Sequence, residues 1–312
     1  VSSPLAAQLA EALGTTEITD LSRLSGGASR ETWRFLAGDR PLILQRQRSG
    51  DIRDMSSEAA VVRAAAAAGV PVPELVASGG VDSPLGAAFM VLGEVVGETI
   101  ARKILRDDRF ADARRVLPAQ LGRAAAAIHD VPLDGLPALT DVDQLRQYRE
   151  VLDTLGQPHP TFELVFRWLD AHRPPTAGTT LVHGDFRLGN LMVGDDGLRA
   201  VLDWELAHRG DPMEDLGWLC VRAWRFGGAG EVAGVGEMSE LLDAYAQASG
   251  RAVDAGVVHW WQVLGTLKWG IMCMMQANAH LSGMSRSHEL AAIGRRVCEN
   301  EYDLFLALDG QW

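Results

Sequence analysis

Apolar and polar positions alternate through the first third of the chain and recur at helical spacing through most of the rest. Leu5, Leu9 and Leu13 fall three to four residues apart, which predicts a helix over 4–13 closed by Gly14. Short apolar runs at 21–24, 32–36 and 42–46 predict strands, with Gly38-Asp39-Arg40 as a turn. Residues 54–68 predict a helix whose apolar face is Met55, Ala59, Val62 and Ala66, ended by Gly69. Val70-Pro71-Val72-Pro73 is an extended connector, and 76–78 and 88–92 read as the last strands of a small sheet. From Thr99 onward the period is helical. The first long helix spans 110–129, with Val116, Leu117, Leu121 and Ile128 inward. Others follow at 141–155, 162–172, 212–224, 238–248, 254–280 and 285–308. Residues 226–236 are glycine-rich and expected to be mobile. Trp260, Trp261 and Trp269 are expected in the core, although some could line a pocket.

One stretch interrupts the helices. Residues 181–193 and 198–205 are short apolar runs flanking Gly194-Asp195-Asp196-Gly197, a hairpin signal. A hairpin brings its two ends together, so Asp185, Asn190 and Asp203 converge at one end of it. Magnesium prefers a few hard oxygen ligands plus phosphate oxygens. Phosphoryl transfer needs a carboxylate near the attacking hydroxyl and metal bridging the phosphates. Asp185 is therefore the candidate to take the hydroxyl proton, and Asn190 and Asp203 the candidates to hold the metal. His183 is read as a structural histidine.

His183-Gly184-Asp185 with Asn190 resembles the protein-kinase catalytic loop. With Leu202-Asp203-Trp204-Glu205, Gly210-Asp211-Pro212 and Asp215, the stretch more closely resembles the aminoglycoside phosphotransferase family. The resemblance implies an α+β, protein-kinase-like two-lobed fold. Residues 1–93 would form a small antiparallel-sheet N-lobe and 94–312 a larger, mostly helical C-lobe. It implies ATP (or GTP) and Mg2+ as cofactors, with Gly26, Gly27 and Ser29 in a loop over the phosphates. It also implies that Asp215 steadies the catalytic loop through its backbone. Kinases carry a phosphate-gripping Lys on the third strand; here Gln45 stands at that position with Arg46 beside it. Alternation sends the two to opposite faces. Both are candidates for the cofactor site, and Arg46 is expected to make the contact, oriented by Glu58 of the following helix. Gly93 and Val95 mark the hinge that would meet the adenine edge. The short path from Asp203 to Pro212 leaves little room for a peptide platform, so the expected acceptor is a small-molecule hydroxyl, aminoglycoside-like or another metabolite.

Composition narrows the partners. The 312 residues carry a net charge of −12, which argues against a nucleic-acid partner. Cys220, Cys273 and Cys298 are widely spaced and fit neither a disulfide framework nor a zinc site. No signal-peptide pattern opens the chain, so a cytoplasmic location is expected. Residues 257–275 are apolar but contain His259, Gln262 and Lys268, which predicts a buried helix and no membrane partner. A monomer or homodimer is expected. Two other readings compete. The missing strand Lys is compatible with a kinase-like module that binds nucleotide or metabolite with weak or no turnover. A metal-dependent phosphohydrolase could use His183, Asp185 and Asp203, but that class needs histidines at closer spacing. The intact Asp185, Asn190 and Asp203 favour phosphoryl transfer.

Overall fold

Alternation in residues 30–47 builds the hairpin at the centre of a five-stranded antiparallel sheet. The structure, a computed structural model, describes residues 4–15, 17–24, 30–48 and 55–311. The strands are β1 (Ile18–Arg23), β2 (Arg30–Ala37), β3 (Arg40–Gln47), β4 (Leu75–Gly79) and β5 (Phe89–Gly93). Their order across the sheet is β1-β2-β3-β5-β4. The turn at Gly38 and Asp39 sets the register of β2 on β3, pairing Arg30 with Gln47, Glu31 with Arg46 and Thr32 with Gln45. One face packs Phe35, Leu42, Leu44 and Phe89 against Leu9 of α1 (Pro4–Leu13). The other face meets α2 (Met55–Ala67), where Met55 and Ala59 pack on Met90.

Beyond β5 the chain is mostly helical. α3 (Ala101–Arg106) leads to α4 (Ala111–His129), whose buried stripe is Ala113, Leu117, Leu121, Ala124 and Ile128. Val116, expected on that face, is 40% exposed. It lies about 100° around the helix from Leu117, and the stripe runs without it. α5 (Gln144–Leu155) starts at the Asp143 side chain, which accepts from Arg146 N, and α6 (Pro160–Ala171) follows. α7 (Met213–Cys220), α8 (Met238–Ser249) and α9 (Ala255–Leu281) complete the core, and α9 packs against α7. The helix expected over 285–308 is two, α10 (His288–Ile293) and α11 (Val297–Leu308), joined by a 3-10 turn at Gly294–Arg296. A Cβ on Gly294 would collide with Ala277 of α9, so the break brings the chain down onto α9 where only glycine fits.

The glycine-rich stretch expected to be mobile is instead packed. Val232 and Ala233 are fully buried, and paired backbone bridges join Gly230 to Gly234 and Val232 to Gly236. Trp260 and Trp269 are buried in α9. Among the described residues no helix is long and apolar enough to cross a membrane. Lys268, in the most apolar part of α9, is ion-paired with Glu214 at 3.5 Å.

Candidate active site

Two short strand pairs hold the loop that carries Asp185. β6 (Thr180–Val182) enters it and pairs with β9 (His208–Gly210), a pairing that the residue pattern did not announce. β7 (Leu191–Gly194) leaves it and pairs with β8 (Gly197–Val201) across the expected Asp195-Asp196 turn. Gly184 has φ +80°, and a Cβ there would collide with the Leu206 carbonyl, so the residue before Asp185 has to be glycine. Asp203 also adopts a left-handed conformation, φ +63°, which aspartate tolerates better than most residues.

The loop is tied down from beneath. Fully buried Asp215 accepts from His183 N at 2.8 Å, Gly184 N at 3.0 Å and His129 Nε2 at 3.2 Å. Burial alone would push its carboxyl up. The His129 hydrogen bond, His129 and His183 electrostatics and the backbone donor outweigh that and hold it below the usual range. His183 bridges the loop to the hairpin: Nε2 donates to Leu202 O at 3.0 Å, and Nδ1 accepts from Asp185 N at 3.2 Å. These bonds and its packing on Trp204, 4.7 Å between ring centres, match the structural reading of this histidine.

The Asp185 carboxylate is held on both oxygens. Oδ1 accepts from Arg187 Nε and Trp218 Nε1, each at 2.9 Å, and Oδ2 accepts from Asn190 Nδ2 at 2.6 Å. Asn190 Nδ2 also donates to Asp185 O at 3.0 Å, which leaves its Oδ1 as the acceptor available to a cation. Arg187 lies over the Trp224 ring at 4.9 Å. Asp203 follows the second hairpin strand as expected, and its side chain is 42% exposed. Although the side chain reaches solvent, its depth in the protein desolvates the carboxyl and, with the charge of Glu205 and then Asp185, raises it above the usual range against the pull of Arg30. Such an arrangement favours an added cation. Among the described residues no group of three or more His, Cys, Asp or Glu side chains forms a ready-made metal cage. One carboxylate and one amide oxygen beside a second acid fit a hard ion that completes its shell with phosphate and water.

The sheet side of the site differs from expectation. Gln45 does face α2 and the cleft, but Arg46 points to the opposite face, where its Nη2 donates to Leu85 O at 2.7 Å. No local twist reverses the alternation, so the expected Glu58–Arg46 pair is not formed. Glu58 instead pairs with Arg30 Nη1 at 2.8 Å, and the same nitrogen donates to Gln45 Oε1 at 3.0 Å. Arg30 Nη2 reaches Glu205 at 3.0 Å and Asp203 at 3.4 Å. Gly26, Gly27 and Ser29 lie outside the described residues. Gly93 spends its N–H within the sheet, on Glu74 O at 2.8 Å. Val95 lies in the connector just beyond, which Glu98 fastens to Val193 by two backbone bonds.

Arg30, Arg187, Trp218 and Glu205 were not assigned roles by sequence reasoning. Arg187 is two residues past Asp185, and Trp218 is one helical turn past Asp215. Both spacings were readable, but neither names a partner without the fold.

The sequence model of a family described as the phosphotransferase enzyme family matches residues 20–257. Mouse (Mus musculus) acyl-CoA dehydrogenase family member 10 is 29% identical over 229 residues, covering 67% of this chain and 21% of that protein. Human (Homo sapiens) acyl-CoA dehydrogenase family member 11 is 24% identical over 260 residues, covering 74% and 32%. The chain thus spans only a minor part of the length of these relatives. Among solved structures, a candidate aminoglycoside phosphotransferase from Ralstonia eutropha JMP134 superposes with a TM-score of 0.79 at 22% identity, covering 98% of both chains. The spectinomycin phosphotransferase APH(9)-Ia, solved with ADP and spectinomycin, gives 0.68 at 13% identity over 97% of both. These likenesses establish a protein-kinase-like fold.

Proposed function

The chain belongs to the phosphotransferase enzyme family, and from that premise we propose that it moves the γ-phosphate of ATP (or GTP), with Mg2+, onto a hydroxyl of a small molecule. The observation that carries this reading is the Asp185 carboxylate, fixed by Arg187, Trp218 and Asn190 a short way from Asp203. Oδ1 takes two hydrogen bonds and Oδ2 takes one, so Oδ2 keeps a lone pair for the acceptor's hydroxyl proton. Asp185 orients that hydroxyl and receives its proton as the oxygen attacks phosphorus. Asn190 Oδ1 and Asp203 would hold the metal, which when bound supplies positive charge to the phosphate oxygens. Arg187, stacked on Trp224, adds a fixed cation on the same side.

The acceptor side would be built by α7, α9 and the turn after α7. Trp218, Trp224 and Trp269 cluster there, with ring centres 5.1 Å and 4.7 Å apart. Only β9 and a short turn separate Asp203 from Met213, which supports a small acceptor over a peptide. The dehydrogenase names of the sequence relatives belong to proteins that extend far beyond the matched segment.

The test is nucleotide consumption by the purified chain against a panel of hydroxyl-bearing metabolites that includes aminoglycosides, with Asp185→Asn as the control. Acceptor-dependent ADP release, lost by about 10²–10⁴-fold in Asp185→Asn, is expected. Nucleotide binding without turnover on any acceptor would favour the binding-module reading. Equal turnover by the variant would remove Asp185 from the chemistry.

A further inference from the structure

The third strand carries no cation on its cleft face, yet the cleft contains a buried one. Arg30 is 7% exposed and sits where β2 begins, on the same face of the sheet as Gln45. Its guanidinium is divided between two sets of partners. Nη1 is held on the sheet side by Glu58 at 2.8 Å and Gln45 at 3.0 Å. Nη2 reaches across to Glu205 at 3.0 Å and Asp203 at 3.4 Å. Among the described residues this one guanidinium is ion-paired with three carboxylates, Glu58, Asp203 and Glu205. The longer of the two cross-cleft bonds goes to Asp203, the carboxylate assigned above to the metal.

We propose that Arg30 is the nucleotide-binding cation of the sheet side, doing from the start of β2 what a lysine on the third strand would do, with Glu58 and Gln45 holding it in place. This rests on the phosphotransferase reading. The argument is one of charge and geometry. A metal taken up by Asp203 competes with Nη2 for that carboxylate. The guanidinium, still anchored through Nη1, then presents an N–H edge toward the cleft. A triphosphate brings oxygens that accept from it, and a planar guanidinium suits phosphate oxygens. The presence of a neutral Gln45 on the third strand also follows: with a guanidinium already in place, a second cation would be repelled, whereas the Gln45 carbonyl accepts a hydrogen bond from it.

The test is equilibrium binding of a non-hydrolysable ATP analogue with magnesium, read by calorimetry and independent of turnover. The variants are Arg30→Ala, Gln45→Ala, Arg46→Ala and the double variant Arg30→Ala with Gln45→Lys. Arg30→Ala is expected to weaken binding about ten- to a hundredfold, the usual effect of losing a charge-assisted hydrogen bond. Arg46→Ala should leave it unchanged, because that side chain faces Leu85. Removing Arg30 leaves Glu58 buried and unpaired, so Arg30→Ala alone could fail to fold. The double variant restores one positive charge on the same face and within the same cluster, and should recover both folding and most of the affinity. Nucleotide binding by the unaltered chain that survives in folded Arg30→Ala, or a folded double variant that still binds like Arg30→Ala, would overturn the inference alone. Absence of nucleotide binding by the unaltered chain would overturn the phosphotransferase reading and this inference with it.

Discussion

Trp218 Nε1 donates to Asp185 Oδ1 at 2.9 Å, and the indole that does so is one helical turn from Asp215, the residue that anchors the Asp185 loop from beneath. One short helix therefore sets both the loop's backbone and the orientation of its carboxylate. Trp218→Phe keeps an aromatic ring in the cluster with Trp224 and removes the N–H together with the second ring of the indole. The expected result is a fall in kcat of about tenfold, within the range for one hydrogen bond to a charged group, with nucleotide affinity unchanged. Steady-state kinetics with the acceptor found by screening checks this. Weakened nucleotide binding with kcat intact would place Trp218 elsewhere in the cycle.

Asp203→Ala should change the response to magnesium. On the proposed reading the wild-type chain is expected to bind ATP more tightly as magnesium rises, because Asp203 would give the ion a charged ligand beside the Asn190 oxygen. In the variant that dependence should flatten. Calorimetric titrations of nucleotide at several magnesium concentrations report it directly. An unchanged dependence would exclude Asp203 as a ligand.

The hairpin was legible because both of its signals are local: two apolar runs and a Gly-Asp-Asp-Gly turn, from which the meeting of Asp185, Asn190 and Asp203 follows. The β2–β3 register was legible too. Counting from the Gly38-Asp39 turn places Arg30 on the Gln45 face and Arg46 on the other. The buried cation on the Gln45 face stands on β2, not on the strand where kinases keep theirs, and side chains from neighbouring strands share a face. Trp218 and the β6–β9 pairing depend on contacts between segments about 30 residues apart, and nothing in the local pattern of either segment encodes the partner. The division of the last helix at Gly294 depends on how closely it approaches α9, a tertiary fact that helical periodicity does not carry.

His208 and Glu214 form a second network under the site. His208 Nε2 lies 3.0 Å from Glu214 Oε2, while Glu214 also meets Lys268 and Gln144. Burial would lower the His208 pKa and Lys268 opposes its protonation, but the Glu214 bond and charge and the Leu206 carbonyl raise it above the ordinary value. A raised folded-state value means that the protonated ring contributes stability fully below about pH 6.5 and loses it as pH climbs through the raised value. Urea unfolding of wild type and His208→Gln should therefore differ more at pH 6 than at pH 9. A gap that widens toward pH 9 would mean the imidazole acts in its neutral form.

Asp215→Asn is predicted to loosen the Asp185 loop and destabilise the fold together. An asparagine in the same pose keeps one acceptor oxygen and turns an NH2 group toward donors it cannot accept from. His183 N–H and Gly184 N–H bond different oxygens of Asp215, so at least one buried backbone donor loses its partner. Each such loss costs about 1–3 kcal/mol, and the charge-assisted bond from His129 weakens as well, so a loss of about 2–4 kcal/mol is expected near neutral pH. The sign of the pH dependence follows from the lowered carboxyl. Its contribution is complete above the ordinary aspartate value of about 3.9 and is lost as pH falls through the lower folded-state value. The stability gap between wild type and Asp215→Asn should stay level from pH 8 to pH 5 on this account and narrow only in stronger acid. Amide hydrogen exchange at Gly184 provides a local reading of the same bond, and faster exchange there in the variant is expected even where global unfolding is rare. A variant as stable as wild type at pH 7, with Gly184 equally protected, would show that the loop holds its shape without Asp215.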